Sequence, residues 1–440
     1  MTQADCPLLP VVGAELTVPL TGGSRSRYIN LDYAASTPAL DVVAQRIAEA
    51  LPLYASVHRG AGYASQVSTA AYENARTVVG RFVGARQDDL VVFTRNTTDS
   101  LNLLSRVVPG ETVYLDIEHH ANLLPWAAGN GRLLAAGSSV EQTLRLVDDE
   151  LRARPAALLA VTGASNVTGE LLPLRALATI VHRHGTRLAV DGAQLVPHRR
   201  IHMALEGVDF LAFSGHKTYA PFGAGVLVGS SDWLNDGEPY LRGGGAVTRV
   251  TASDASWQTG PARHEAGSPN VLGALALARA LEALAELDPD VWADHEAALY
   301  NRLSAGLAAI PGVSVHRIFD DSTEQVGVVS FSVDGIDSGL LAVALSGEYG
   351  IGVRDGRFCA HPLMDRLGLA APALRASVGV GSRLADVEVL LDAVAAILAH
   401  GPAGEYEQVD GQWQPTEDSR PRPEWAPRID PQDAWSGCAA

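Results

Sequence analysis

Two short runs decide how this chain folds: Arg187-Leu188-Ala189-Val190-Asp191-Gly192-Ala193-Gln194 and Phe210-Leu211-Ala212-Phe213-Ser214-Gly215-His216-Lys217-Thr218. Each is a continuous apolar stretch of strand length that ends on polar residues, the pattern of a strand buried on both faces. Similar runs occupy 90–94, 112–117, 157–162 and 224–228, and stretches of helical period such as 174–184 lie between several of them. Buried strands alternating with helices predict an α/β fold with a mostly parallel sheet flanked by helices. Such sheets bind ligands at the carboxyl ends of their strands, so Asp191 and the turn 214–217 stand where chemistry is expected.

Lys217 is singular for another reason. Of 33 basic residues, 32 are arginine and Lys217 is the only lysine. Codon bias in a GC-rich genome accounts for the shortage, and arginine serves surface charge as well as lysine does. Only lysine offers an amine that can lose its proton and form a Schiff base. An amine at a strand end, flanked by Ser214 and His216 as donors, suits an aldehyde cofactor carrying a phosphate, and pyridoxal phosphate is the candidate.

That cofactor needs a lysine, a carboxylate on the pyridine nitrogen, phosphate donors and a group packed on the ring. Asp191 supplies a carboxylate at a strand end, although an aspartate there also serves as a helix N-cap. Gln194 is placed to donate to the ring oxygen. Thr97-Thr98-Asp99 follows the run 90–94 and precedes a helix at 100–107, whose free N–H groups would hold a phosphate; the same residues would cap a helix in any protein. His119, in Glu118-His119-His120-Ala121-Asn122, is placed to stack on the ring. A histidine pair also invites a metal, but no further His, Cys or carboxylate lies at zinc-like spacing, so no metal site is predicted.

Cys359 lies in Arg357-Phe358-Cys359-Ala360-His361, after a Gly/Arg-rich segment, 350–357, that reads as a loop. A lone cysteine is ordinarily buried and inert. Here Arg354, Arg357 and His361 would lower its pKa toward a reactive thiolate. Arg375 interrupts an apolar strand and is either paired internally or waiting for a carboxylate.

The remaining features bound the answer. The 440 residues are 47% hydrophobic and carry a formal charge of −17, which disfavours a nucleic-acid or anionic-membrane partner and favours a small molecule. Three cysteines, Cys6, Cys359 and Cys438, are too few and scattered for a disulfide framework, which argues for a reducing compartment. Residues 1–20 lack a basic, apolar leader, and no later run is apolar and uncharged over about 18 residues. A cytoplasmic protein is expected. Four segments are read: an extension at 1–27, a large domain at 28–270, a smaller α+β C-terminal domain at 271–400, and a tail at 401–440. The smaller domain carries helices at 271–287, 290–310 and 384–400 and strands at 327–333 and 374–380. The tail is rich in Pro, Gln, Asp and Glu with isolated Trp413, Trp425 and Trp435, and is expected to be poorly ordered or draped on the surface.

Together, Asn30-Leu31-Asp32-Tyr33-Ala34-Ala35-Ser36, Val57-His58-Arg59-Gly60, the Glu118 to Asn122 pentapeptide, Asp191-Gly192-Ala193-Gln194, Ser214-Gly215-His216-Lys217 and Glu265-Ala266-Gly267-Ser268-Pro269-Asn270 resemble the class V aminotransferase family. Within it they look most like the group II cysteine desulfurases and selenocysteine lyases, from about residue 28 to 398. The resemblance implies a pyridoxal-phosphate enzyme of fold type I. Lys217 would carry the cofactor and later move protons, Asp191 would support the pyridinium, Gln194 would contact the ring oxygen, and His119 would stack and protonate. Thr98, Ser214 and His216 would hold the phosphate beside Thr97, with Ser268 reaching in from the second subunit of a homodimer. Asn166 and Arg375 would bind the substrate's α-carboxylate. Cys359 would take sulfur from cysteine, or selenium from selenocysteine, as a persulfide or its selenium analogue, releasing alanine and passing the atom to a protein acceptor.

The chain departs from that pattern twice. It has Gly381-Ser382-Arg383 where a Tyr-Asn-Thr stretch is usual, and Gly356-Arg357-Phe358-Cys359 in place of Gly-His-His-Cys. The same scaffold hosts carbon–sulfur lyases, epimerases and aminotransferases, in which Cys359 would be incidental, and a non-catalytic binding protein could also keep the fold.

Overall fold

The apolar runs at 90–94, 112–117, 157–162, 187–191, 210–213 and 224–228 become strands of one seven-stranded sheet. The structure, a computed structural model, describes residues 3–369 and 371–426; Trp435 and Cys438 lie outside the described residues. In chain order the strands are β1 (Asp89–Thr94), β2 (Thr112–Leu115), β3 (Gly131–Leu134), β4 (Leu158–Thr162), β5 (Arg187–Asp191), β6 (Phe210–Ser214) and β7 (Gly225–Ser230), arranged β1-β7-β6-β5-β4-β2-β3. Strands β2 to β6 pair in parallel, and β7 is antiparallel to β1 and β6. β3 is the strand without an apolar run to announce it: it is an edge of four residues, none of them fully buried.

The alternation of side chains along each strand feeds two cores. Leu158 and Ala160 of β4 pack on one face with Leu101 and Leu104 of α1 (Thr97–Val107). Leu159 and Val161 face the other way, toward Val147 and Leu151 of α2 (Val140–Ala153) and Leu177 and Val181 of α3 (Leu174–Arg183). This two-sided burial is what a period of two requires of a strand between helical layers.

Beyond α4 (Val271–Ala285) and α5 (Pro289–Ala308), a second, antiparallel sheet forms from β8 (Val313–Val315), β9 (Val328–Val333), β10 (Arg354–Gly356) and β11 (Ala373–Ser377), in the order β8-β9-β11-β10. Its core joins Phe331 and Leu374 to Leu303 of α5 and to Leu390 and Val394 of the last long helix. Ile29 and Leu31 enter this same core, because the strand Ile29–Asn30 pairs in parallel with Ile351–Gly352. The segment 350–357, read as a loop, is thus two short strands. Its pairing partners are distant in sequence, and nothing in its Gly/Arg composition marks them.

The tail also departs from expectation. Residues 401–426 are draped on the surface, but as an anchored hairpin, β12 (Tyr406–Val409) and β13 (Gln412–Pro415). Asp410 and Gly411 both take positive φ, the two-residue turn that matches strand twist. The Glu348 carboxylate accepts from the N–H of Ala403 and Gly404 and from the Tyr406 hydroxyl at 2.8–3.1 Å.

Candidate active site

The carboxyl ends of β4, β5 and β6 and the residues after β1 and β2 surround one cavity of about 220 Å³. Lys217, Asp191, His119, Cys359, Arg375 and Asn166 all border it, as do Thr97, Thr98, Gln194, Ser214 and His216. The two sheets together bring eleven of the twelve residues singled out from the sequence to this cavity. The exception is Ser268, which is exposed and lines a separate cavity with Tyr240 and Asn270.

Lys217 ends a single 3-10 turn that follows β6 directly. Its side chain borders the open cavity while its amine is shielded from bulk water. Burial is the larger influence and lowers its pKa to about 8, against the opposing pull of Asp191; Arg375 and Arg354 lower it further. Near neutral pH roughly a tenth of this amine is therefore unprotonated, far more than for an ordinary lysine. Asp191 is 4% exposed, and burial pushes its carboxyl up from the usual range while the Ala193 N–H, 2.9 Å from Oδ1, and Lys217 pull it down. The residues after Asp191 form turns, not a helix, which removes the helix-cap reading of this residue.

The N-terminus of α1 forms another wall. Asn96 caps it, accepting from the Asp99 N–H at 3.0 Å, so the helix begins three residues earlier than the sequence pattern indicated. Strand β7 passes so close beneath this cap that a Cβ on Gly225 would sit 2.5 Å from the Asn96 backbone. The Thr97 N–H donates to Ser214 Oγ at 3.2 Å, whereas Thr97 Oγ1 is buried with no partner. His216 lies opposite, its pKa lowered to about 4 by burial and by Lys217, which makes it a neutral donor.

His119 is fixed by its own motif. Its Nδ1 accepts the Ala121 N–H at 3.0 Å, and burial, reinforced by Lys217, lowers its pKa to about 3. The imidazole is therefore neutral, suited to stacking and poorly suited to acid catalysis. Glu118 and Asn122 hold the motif in place: Glu118 accepts from Asn122 Nδ2 at 2.6 Å and from the Thr162 N–H at 3.0 Å, and Asn122 Oδ1 accepts from Trp126 Nε1. Gln194 spends one amide hydrogen on the Ala34 carbonyl at 2.6 Å, leaving its buried Oε1 without a partner.

Arg375, 3% exposed, is paired internally: it donates to Asp32 Oδ1 at 3.1 Å and to the Asn166 carbonyl at 2.9 Å, while its Nε has no partner. Directly opposite it in strand register stands Arg354, whose guanidinium also borders the cavity. Like charges at facing positions repel, so the pair favours an anion between them. Sequence reasoning assigned Arg354 to the thiol alone; its place opposite Arg375 depends on a register that no local signal shows.

Cys359 is half-buried at the cavity wall, following β10 and preceding α6 (His361–Arg366). Phe358 and Cys359 both have φ near +53°, a left-handed conformation that costs a non-glycine residue roughly 1–3 kcal/mol. Two hydrogen bonds hold it: His120 N–H to the Cys359 carbonyl and Asn166 Nδ2 to the Phe358 carbonyl, both 2.8 Å. Of the cationic groups expected around the thiol, Arg354 borders the cavity, whereas Arg357 donates to Asp365 and to the His361 carbonyl. Among the described residues, no cluster of three or more His, Cys, Asp or Glu side chains could hold a metal ion.

The donor set fits a phosphate-bearing pyridine aldehyde. A desolvated amine and a carboxylate lie at neighbouring strand ends, and two buried polar atoms, Thr97 Oγ1 and Gln194 Oε1, lack partners beside them. The architecture is that of the fold type I pyridoxal-phosphate enzymes. The chain belongs to the aminotransferase class-V family, whose sequence model matches residues 29–390. It is 34% identical over 391 residues to a probable cysteine desulfurase of Mycobacterium leprae, covering 84% of this chain but only 62% of that protein. A probable cysteine desulfurase of Chlamydia muridarum is 35% identical, with 86% of this chain and 97% of that protein covered. Among solved structures, the cysteine desulfurase of Thermococcus onnurineus in its apo form superposes with a TM-score of 0.78 at 30% identity, covering 88% and 97% of the two chains. No helix among the described residues is long and apolar enough to cross a membrane.

Proposed function

We propose that this protein is a pyridoxal-phosphate-dependent cysteine desulfurase that takes sulfur from L-cysteine, or selenium from selenocysteine, onto Cys359 and releases alanine. The observation that carries the reading is that Cys359 borders the same cavity as the sole lysine and the facing guanidiniums of Arg354 and Arg375. Bound there, the cofactor would supply an electron sink for charge developing at the substrate's Cα.

The chain's own residues supply the rest. Lys217 would hold the cofactor's aldehyde, and its Nζ, with a pKa lowered to about 8, would move the Cα proton. Asp191 would keep a proton on the pyridine nitrogen, and His119 would pack on the ring as a neutral imidazole. Thr97, Thr98, Ser214 and His216 would hold the phosphate, and Gln194 would meet the ring oxygen. Asn166, Arg375 and Arg354 grip the α-carboxylate, which aims the Cβ–S bond at Cys359. The thiolate attacks the substrate sulfur: an S–S bond forms, the Cβ–S bond breaks with its electron pair left on the carbon skeleton, and protonation there yields alanine. The persulfide then passes to an acceptor protein. We further propose a cytoplasmic homodimer in which Ser268 of one subunit completes the phosphate site of the other, with a large domain at 28–270 and a smaller one at 271–400.

Incubating the purified protein with a panel of amino acids and identifying products tests this. With a thiol reductant present to reduce the persulfide, sulfide plus alanine from cysteine is expected; a keto acid, or an inverted stereocentre, would replace the reading with an aminotransferase or an epimerase.

A further inference from the structure

Phe358 stands where the resemblance would place a histidine, and three observations make it more than a filler. Its ring is 2% exposed and lies under the Arg375 guanidinium, 5.2 Å from the ring centroid. Its carbonyl accepts the Asn166 side-chain amide at 2.8 Å. Its backbone is left-handed and shares that conformation with Cys359, the next residue. The two side chains read as carboxylate ligands, Asn166 and Arg375, thus both press on the residue that carries the strained nucleophile.

We propose that Phe358 is a positioning residue that couples occupation of the carboxylate site to the placement of Cys359. The inference rests on the reading that Asn166 and Arg375 take the substrate's carboxylate. A carboxylate arriving there competes with the Phe358 carbonyl for the Asn166 amide and draws the guanidinium off the ring. Backbone held in a costly conformation relaxes when its restraints weaken. The His120 N–H bond to the Cys359 carbonyl and the His361 N–H bond to His120 Nε2 persist, so the loop pivots about His120 and presents the sulfur only when substrate is in place. The chemistry recognised is a free α-carboxylate beside an amine, and a sulfur atom is not required to trigger the movement.

The holoenzyme can be tested with L-alanine, which carries the carboxylate and amine but no sulfur. Binding is read from the absorbance of the bound cofactor, and Cys359 exposure from its rate of alkylation by iodoacetamide. In the native protein, saturating alanine should raise the alkylation rate at least about threefold. Phe358→Ala should be alkylated rapidly with or without alanine, and Phe358→Leu, which keeps bulk without a ring for Arg375, should lose most of the alanine response. Both variants should still show the alanine-dependent absorbance change, a readout that simple misfolding would abolish. An alkylation rate that alanine leaves unchanged or slows, with the absorbance change intact, overturns the coupling and leaves the functional reading standing. Absence of any absorbance change with alanine or with cysteine overturns both.

Discussion

The strand-end cradle and the loop that carries Cys359 meet in one cavity, yet they are built by opposite means. Asp191, Ser214 and Lys217 stand at or just past the ends of fully buried central strands, in conformations the sheet itself dictates. Cys359 and Phe358 sit in a left-handed turn off an edge strand of the second sheet, held by side chains and backbone borrowed from the first. The cradle is set by the sheet, and burial shifts its amine and carboxyl before any ligand arrives. The loop is under tension and depends on its neighbours. Under the proposed function, a group that must hold a cofactor through every turnover gains from the first design, and a group that must accept an atom and hand it on gains from the second.

The contrast can be broken most severely at Lys217. Lys217→Ala should remove all alanine release and the cofactor's covalent absorbance, because no other lysine exists to substitute; residual multiple turnover would mean the amine had been misassigned. Cys359→Ser should lower alanine release from cysteine by about a hundredfold or more, equivalent to ~2.7 kcal/mol, while cofactor loading stays native. Equal damage to loading and turnover would show that the two regions are not separable. Asp191→Ala should slow turnover per loaded site by roughly tenfold to a hundredfold, about 1.4–2.7 kcal/mol, and weaken cofactor binding, as assays at saturating cofactor would separate.

Smaller effects sharpen the account. The rate at which apoprotein takes up pyridoxal phosphate should rise with pH and level off above about 8, since Lys217 attacks as the neutral amine and its folded-state pKa is lowered to that value. A profile still climbing toward pH 10 would show that the amine is not desolvated. At the far side of the second sheet, Glu348→Ala should undock the tail hairpin at a cost of about 1 kcal/mol and leave turnover unchanged, which thermal unfolding and a product assay would check.

The difference between the regions also explains what the sequence could reveal. Central strands buried on both faces appear as apolar runs, so the parallel sheet and the residues at its ends were legible, and the lone lysine marked the site. Asp410-Gly411 is a local hairpin signal, but the polar composition around it is equally that of an unstructured tail. By contrast, the facing of Arg354 and Arg375, the pairing of Ile29–Asn30 with Ile351–Gly352, and the Asn166 to Phe358 hydrogen bond join residues far apart in the chain. Long-range register and left-handed backbone at non-glycine residues leave no local pattern to read. The neutral state of His119 likewise follows from burial among cations, which only the folded arrangement creates.

In the proposed mechanism the loop, not the cradle, receives the sulfur atom. The direct measurement is a single turnover of the holoenzyme with L-cysteine and no acceptor, followed by mass analysis of the peptide containing Cys359 and quantitation of alanine. The account predicts one added sulfur on that peptide for each alanine formed. Alanine and sulfide released with Cys359 unmodified from the earliest time point, and at the same rate in Cys359→Ser, would contradict it.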